Sequence, residues 1–294
     1  MLAIIIPYFK INFFEETLQS LANQTDNRFK VYIGDDQSPD SPVDLLEKYK
    51  GVFNFKYHKF QNNLGSTSLT RQWQRCIDLS SYEEWIIILG DDDLVSNNIV
   101  ELFYANYGKF KNLTPVVRFA TYKIDASSKI YSKLFTNQEL EHSTKIIENK
   151  KRSSLSEYAF RKDIIDIIKF KDFPLAWYSD LLAVLEFSNF GQIFSINSAY
   201  VKIRISEESI SGMKDNFAQK EEAKFQFYNY ILKNANQKIN KETTKIVEGK
   251  LNNIYFNDKK FFKRFIIIFI LYLKKHKFRS IFNLFYLLFT NIQK

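Results

Sequence analysis

The chain has 294 residues, 26% charged and 17% aromatic, enough apolar side chain for a large core and too much for a disordered polymer. Its single cysteine, Cys76, excludes an internal disulfide and suits a reducing compartment, while three scattered histidines (His58, His142, His276) with no cysteine cluster argue against a zinc site. The net charge of +9 gathers at one end: residues 258–294 hold nine Lys/Arg against one acid, a local +8, whereas the other 33 basic and 32 acidic residues nearly cancel. This argues against a nucleic-acid-binding body and for a local electrostatic role of the tail.

Residues 3–6 read as an apolar strand stopped by Pro7, too short and too poor in basic residues for a secretion leader. Residues 13–21 place Phe14, Leu18 and Leu21 at helical spacing, with Glu15 and Glu16 in the first turn, where the helix dipole favours acids. Residues 29–34 alternate Phe29, Val31 and Ile33 as a second strand and run into Asp35 and Asp36. Pro39 and Pro42 precede a short helix at 43–49, residues 52–60 alternate as a third strand, and 69–79 form a helix carrying Trp73, Cys76 and Ile77 on one face. Trp85, Ile86, Ile87, Ile88 and Leu89 then read as a strand buried on both faces. Strands alternating with helices imply a parallel sheet covered on both sides.

That last strand ends in Gly90 and three consecutive carboxylates, Asp91, Asp92 and Asp93. Three like charges at a buried strand end repel one another, and a hard divalent cation turns the repulsion into coordination. Open α/β sheets bind ligands at this end of their strands. The competing reading is a solvated acidic turn capping the next helix. For Asp35 and Asp36 the competing readings are another turn or a ribose-binding acid. No G-x-G-x-x-G or G-x-x-x-x-G-K-[ST] loop occurs, so phosphate charge would have to be met by a metal and side chains.

Taken in order, these residues resemble the inverting nucleotide-sugar glycosyltransferases of family 2, which have the GT-A fold. Ile4-Ile5-Ile6-Pro7-Tyr8 is similar to the family's opening strand and base-contacting turn, and Ser20-Leu21-Ala22-Asn23-Gln24-Thr25 to its S-[IL]-x-x-Q-T helix end. Asp35-Asp36-Gln37-Ser38 resembles D-D-G-S, Asn63-Leu64-Gly65 with Arg71 resembles N-x-G…R, and Leu89 to Leu94 occupies the D-x-D position. The sequence departs from the pattern at Gln37 (usually Gly), at Gly90 (usually the first acid of D-x-D) and in the spacing of Arg71. The resemblance covers roughly residues 1–212. It implies Pro7, Tyr8, Asp36, Arg71, Asp91 and Arg204 around the nucleotide-sugar, and Asp92, helped by Asp93, on Mg²⁺ or Mn²⁺. The expected fold is a three-layer α/β/α sandwich with a C-terminal helical extension.

Beyond a helix at 98–107, residues 116–123 and 129–134 read as β segments, 137–152 as a polar surface insertion or mobile loop, and 156–170 as helix. Phe173 to Asp180 sets Trp177 and Tyr178 beside one carboxylate that opens a helix at 181–187. By chain order the resemblance makes Asp180 the general base that deprotonates an acceptor hydroxyl; the alternative is a helix N-cap. Trp177 and Tyr178 would stack on a sugar or pack in the core. Residues 191–194 and 198–205 are late strands, and Arg204 would meet donor phosphate or pair with Glu207 or Glu208.

The tail from 213 reads as helices at 217–235 and 241–256, followed by two short apolar runs, 265–273 and 281–289, between basic residues. A nine-residue helix rises only ~14 Å, against the ~30 Å of a bilayer core, so neither run spans. An in-plane anchor on the anionic cytoplasmic face fits, with packing on the catalytic domain or a dimer partner as the alternative. Division into a 1–212 glycosyltransferase domain, with a nucleotide-sugar half (1–110) and an acceptor half (111–212), and a 213–294 helical region follows. The functional expectation is a metal-dependent inverting glycosyltransferase that builds a bacterial surface polysaccharide, capsule or lipopolysaccharide, on a glycan or lipid-linked acceptor. A non-catalytic membrane-associated binding protein of the same fold is the alternative. A receiver-type phosphoacceptor would need its nucleophilic Asp at the end of the first strand, where Pro7 and Tyr8 stand instead.

Overall fold

The computed structural model describes residues 1–148, 154–207, 209, 211–212, 215–257 and 262–290. Four strands, β1 (Leu2–Tyr8), β2 (Phe29–Asp35), β3 (Phe55–Lys59) and β4 (Trp85–Ile88), pair in parallel in the order β3-β2-β1-β4. Between them run α1 (Phe14–Ala22), α2 (Val43–Glu47) and α3 (Leu69–Ile77), as the alternating apolar pattern requires. Successive residues of β1 go to opposite faces. Ile4 and Ile6 join a core with Phe14, Leu18 and Phe103 on one side, and Ala3 and Ile5 join Trp73, Cys76 and Leu182 on the other. The sheet is therefore the middle of three layers, with helices on both faces.

β1 does not stop at Pro7. Pro7 pairs with Gly34 and Tyr8 with Asp35 in the same register, and the Tyr8 carbonyl accepts from the Asp36 N–H (3.0 Å). Tyr8 thus turns its polar edge to β2, and Pro7, one residue before, turns its own to the β4 side. There the last bond is from the Leu89 N–H to the Ile5 carbonyl (2.9 Å), and Pro7, which has no N–H to give to the next carbonyl, ends the pairing with β4.

Past β4 the sheet becomes mixed. β5 (Leu94–Val95) and α4 (Ile99–Phe110) lead into β6 (Val116–Ile124). β7 (Leu140–His142), α5 (Lys145–Glu148), a 3-10 turn at Leu155–Glu157, β8 (Tyr158–Arg161) and α6 (Lys162–Ile168) follow. A second 3-10 turn at Pro174–Ala176 opens into α7 (Ser179–Phe187), and β9 (Gln192–Arg204) closes the sheet. β8 lies between β4 and β6, antiparallel to both, so the first part of 156–170 is a central strand and not helix. Residues 129–134 make only isolated bridges, Ile124 with Ile130 and Thr121 with Phe135. The polar segment read as an insertion instead supplies β7, antiparallel to β9, and buries Ile146 and Ile147; residues 149–153 lie outside the described residues. The two late strands are one. β9 pairs with β6 through a register shift between Phe119 and Ala120, where its partners jump from Ile196 to Tyr200.

The helical region packs on this body. α8 (Phe217–Asn234) contributes Phe227, Tyr228 and Ile231 to the same core as Leu181 and Phe187, and the Tyr230 hydroxyl donates to Glu186 (2.7 Å). α9 (Lys241–Asn257) is tied down by Thr243 to Glu148 (2.8 Å) and by Lys250 to the Ile147 carbonyl (3.0 Å). α10 (Phe262–Lys274) and α11 (Phe278–Thr290) follow.

Candidate active site

A cleft of about 630 Å³ opens at the carboxyl ends of β1 and β4, the end at which ligands bind in open α/β sheets. Its walls include Pro7, Asp36, Gly65, Asp91, Asp92, Asp93, Ser156, Trp177 and Asp180. Pro7 and Asp180, 173 positions apart in sequence, therefore share one cavity.

The three carboxylates of the β4 end are not equivalent. Asp91 Oδ2 accepts from the backbone N–H groups of Phe9 and Lys10, both at 2.8 Å, and so fixes the loop after β1. Asp93 turns inward: Oδ1 accepts from the Arg204 N–H (2.9 Å) and Oδ2 from the Ser156 hydroxyl (2.6 Å). Ser156 in turn accepts from the Gly90 N–H (3.1 Å), so one hydroxyl braces the whole turn. The Asp92 carboxylate receives no hydrogen bond from a described residue and lines the cleft. Burial, then the charges of Asp93 and Asp91, push its carboxyl well above the usual carboxylate range. Burial likewise raises Asp93, to about 6, against the pull of Ser156 and the Arg204 N–H. A carboxylate pressed toward its neutral form and facing a cavity is a group that a cation would ionise again.

Gly90 has a local reason here. A Cβ on it would come within 3.0 Å of Asp92 Oδ1 and 3.1 Å of Asp93 Oδ2, so an acid at this position would crowd the two carboxylates that follow. Among the described residues no group of three or more His, Cys, Asp or Glu side chains converges as a ready-made metal cage. With Asp93 already satisfied by Ser156 and Arg204, the residues present fit a cation held through Asp92 and completed by oxygens of a ligand. They do not fit a resident ion with several protein ligands.

Asp36 sits at the other end of the cleft. Its Oδ1 accepts from the Leu64 N–H (2.7 Å) and from Arg75, and its Oδ2 from the Gly65 N–H (2.8 Å). The approach needs glycine, because a Cβ at Gly65 would lie 2.4 Å from Asp36 Oδ2. Of about four acceptor positions on a carboxylate, three are taken, leaving one for a ligand N–H. Arg75 also hydrogen-bonds Gln72, and its guanidinium lies 3.9 Å from the Phe60 ring centroid. Arg71 is exposed on α3, and neither arginine is among the residues that line the cleft.

Two further expectations are corrected by placement. Tyr8 is fully buried, its hydroxyl donating to the Asp40 carbonyl (2.8 Å) and its ring 4.7 Å from that of Phe14, so it shapes the loop from beneath. Arg204 is also inside the fold. Nε donates to the Asp92 carbonyl (2.9 Å), Nη1 to the Asp125 carbonyl and the Ser128 hydroxyl (each 3.0 Å), and Nη2 to Glu16 (3.1 Å), the acid it pairs with in place of Glu207. Glu208 lies outside the described residues. With its donors engaged, Arg204 locks the acidic turn and does not point at a phosphate.

On the opposite wall, Asp180 is buried in the first turn of α7, one residue past the helix start, and is not its N-cap. The turn before it is held in unusual backbone: Leu175, Ala176 and Tyr178 all have positive φ (60°, 51° and 72°). Trp177 lines the cleft beside it. Tyr178 instead stacks on Phe227 of α8, with ring centroids 4.9 Å apart, and belongs to the core of the two expected acceptor aromatics. No motif position singles out Glu157. It is buried and capped by the Ser154 N–H (3.1 Å); burial carries it to about 7, with the Arg118 charge lowering it and the Asp180 charge raising it. Ser156 and Glu157 were hidden in a stretch whose apolar spacing suggested helix.

Residues 3–161 match the sequence model described as Glycosyl transferase family 2. No curated protein matches the chain. Among solved structures, S. aureus TarS 1-349 in complex with UDP-GlcNAc is 17% identical with a TM-score of 0.63, over 87% of this chain and 73% of that one. The same protein in complex with UDP gives 17% and 0.61 over 88% and 73%. Against the longer S. aureus TarS the values are 17% and 0.61, over 86% of this chain and 43% of the other. At this identity the likeness shows a shared fold, including a central sheet with the helical region beyond it.

Proposed function

The chain belongs to glycosyl transferase family 2, and from that premise we propose that it transfers a sugar from a nucleoside diphosphate donor to a hydroxyl acceptor with inversion. The observation that carries this reading is the pairing, across one cleft, of a cavity-facing Asp92 with a buried Asp180. The TarS complexes with UDP and UDP-GlcNAc support a uridine nucleotide as the donor class.

In this reading the last acceptor position of Asp36 takes a base N–H, and Pro7 and the Asp91-anchored loop form the floor beneath the nucleoside. Asp92 would hold Mg²⁺ or Mn²⁺ against the diphosphate, where the ion supplies Lewis-acid stabilisation of the departing nucleotide. Arg204 and Ser156 occupy the oxygens of Asp93, and the Asp92 carboxylate is left for the ion. Asp180 takes the proton from the acceptor hydroxyl, and Trp177 offers an apolar face to a sugar ring. An oxygen aimed at the anomeric carbon from the wall opposite the diphosphate gives inversion. A surface glycan or lipid-linked acceptor, as in capsule or lipopolysaccharide synthesis, completes the proposal.

Thermal shift with UDP, with and without Mn²⁺, tests it. Ligand at a hundred times Kd stabilises the folded state by about 2.7 kcal/mol. Asp92→Ala should keep a metal-independent shift and lose the Mn²⁺-dependent part. Equal Mn²⁺ dependence in the two proteins would remove Asp92 from the metal, and no shift with any nucleoside diphosphate would remove the donor site altogether.

A further inference from the structure

α10 and α11 are each apolar on two sides, and only one side of each is covered. On α10, Phe265, Ile268, Leu271 and Tyr272 are buried, with the Tyr272 hydroxyl donating to Asn252 of α9 (2.9 Å). The opposite stripe, at spacing i, i+4, i+8 and i+11, is Phe262, Ile266, Ile270 and Leu273, exposed by 62, 42, 44 and 42%. On α11, Leu284 is buried and the Ser280 hydroxyl donates to Glu248 of α9 (2.7 Å). Its other side carries Phe278 and Phe282, exposed by 60 and 76%, while Phe285 turns to α10, its ring 5.6 and 5.7 Å from those of Phe265 and Phe269. Both helices thus turn one face to α9 and leave six large apolar side chains, Phe262, Ile266, Ile270, Leu273, Phe278 and Phe282, exposed among the described residues.

The charge around these stripes says what suits them. From Phe262 to the chain end there is no Asp or Glu. Lys263, Lys274, Lys275 and Arg279 are exposed among the stripes, whereas Arg264 and Lys277 are engaged by Glu222 and Glu248. Two copies of such a surface would bring like charges together, which disfavours self-association. A helix of thirteen residues is ~20 Å long, short of a ~30 Å hydrocarbon core, and no described helix is long and apolar enough to cross a membrane. Aromatic and aliphatic side chains over a basic, acid-free flank match an interface of acyl chains beneath anionic headgroups.

We propose that the outward faces of α10 and α11 are an in-plane docking surface for an anionic lipid bilayer. Phe262, Ile266, Ile270, Phe278 and Phe282 enter the headgroup boundary, and Lys263, Lys274, Lys275 and Arg279 pair with lipid phosphate. This goes beyond the donor chemistry and stands or falls separately from it.

Sedimentation of the full chain with phosphatidylcholine vesicles, with and without phosphatidylglycerol, tests the proposal. Wild type should bind only the anionic vesicles, and more weakly as salt rises. Phe282→Glu with Ile270→Glu should weaken binding at least about tenfold, and Lys274→Gln with Lys275→Gln about fivefold per charge removed. All these side chains are exposed, so thermal stability and UDP affinity should stay at wild-type values, which separates lost docking from lost folding. Failure of wild type to bind anionic vesicles overturns the proposal, as does equal binding by the variants. A concentration-dependent dimer that Phe282→Glu dissolves, without vesicle binding, would assign the face to a second copy instead.

Discussion

The acids after β4 and the acid that opens α7 face the same cleft, but they are held in contrasting ways. After β4, Asp91 and Asp93 are satisfied by backbone N–H groups and a serine, and a buried arginine braces the turn. All three acids line the cavity, and Asp92 is the carboxylate of the triplet that receives no hydrogen bond from a described residue. On the α7 side, Asp180 is fixed by burial and by a turn of positive-φ residues, with the buried Glu157 as an electrostatic neighbour. One wall satisfies two of its carboxylates with hydrogen-bond donors, and the other keeps a single carboxylate away from bulk water. Hydrogen-bonded backbone makes the first robust, while the second depends on what packs around it.

The contrast breaks most sharply at Asp180. Asp180→Asn keeps size and shape and removes the basic oxygen, so glycosyl transfer should fall by roughly 10²–10⁴-fold. UDP affinity, set on the other wall, should stay unchanged. Steady-state kinetics beside a nucleotide titration reads both, and undiminished transfer would assign Asp180 to the helix start alone. Arg204 sharpens the comparison from the other side. Because its guanidinium bridges Asp92, Asp125, Ser128 and Glu16 within the fold, Arg204→Ala should lower stability by about 3–5 kcal/mol in urea, with no ligand present. A variant of native stability that had lost only nucleotide affinity would return Arg204 to the donor phosphate.

The same division governs what could be read from the chain. Through β4 strands and helices alternate along the chain, so apolar periodicity and turn residues suffice and the acid-ended strands are legible; β5, two residues paired with the distant β9, carries no such signal. Tyr158–Arg161 defeated that approach: four residues flow directly into a helix, and their apolar spacing with Ile164, Ile165 and Ile168 fits a helical stripe. Only pairing with β4 and β6 makes them a strand. β7 failed for the converse reason, since its polar side chains carry no period and its partner β9 lies fifty residues on. In the site, Asp36, Asp92 and Asp180 were legible because their residue types stand at motif positions. That Arg75 is the arginine paired with Asp36 is not legible, because motif spacing says nothing about which side of α3 faces Asp36. Tyr8, Tyr178 and Arg204 were misplaced because a phenol or guanidinium carries the same label whether it meets a ligand or the protein's own carbonyls.

Glu157 gives the smallest and most specific test. Its carboxyl is carried by burial to about 7 from an ordinary value of 4.5, so between those pH values the folded chain holds a proton that the unfolded chain releases. Stability must then decline as pH rises through this window and level off above it, the reverse of a salt-bridged acid. At about 1.4 kcal/mol per pH unit, the decline from this one group is roughly 3 kcal/mol at most. Glu157→Gln is permanently neutral and keeps an oxygen for the Ser154 N–H, so its loss of stability between pH 5 and pH 8 should be smaller by about 1–3 kcal/mol. Urea unfolding of both proteins at the two pH values isolates the difference, because every other titrating group is common to them. Parallel pH profiles would mean that Glu157 is ionised in the native wall, with Arg118 offsetting its charge, and that the two walls of the cleft handle charge alike.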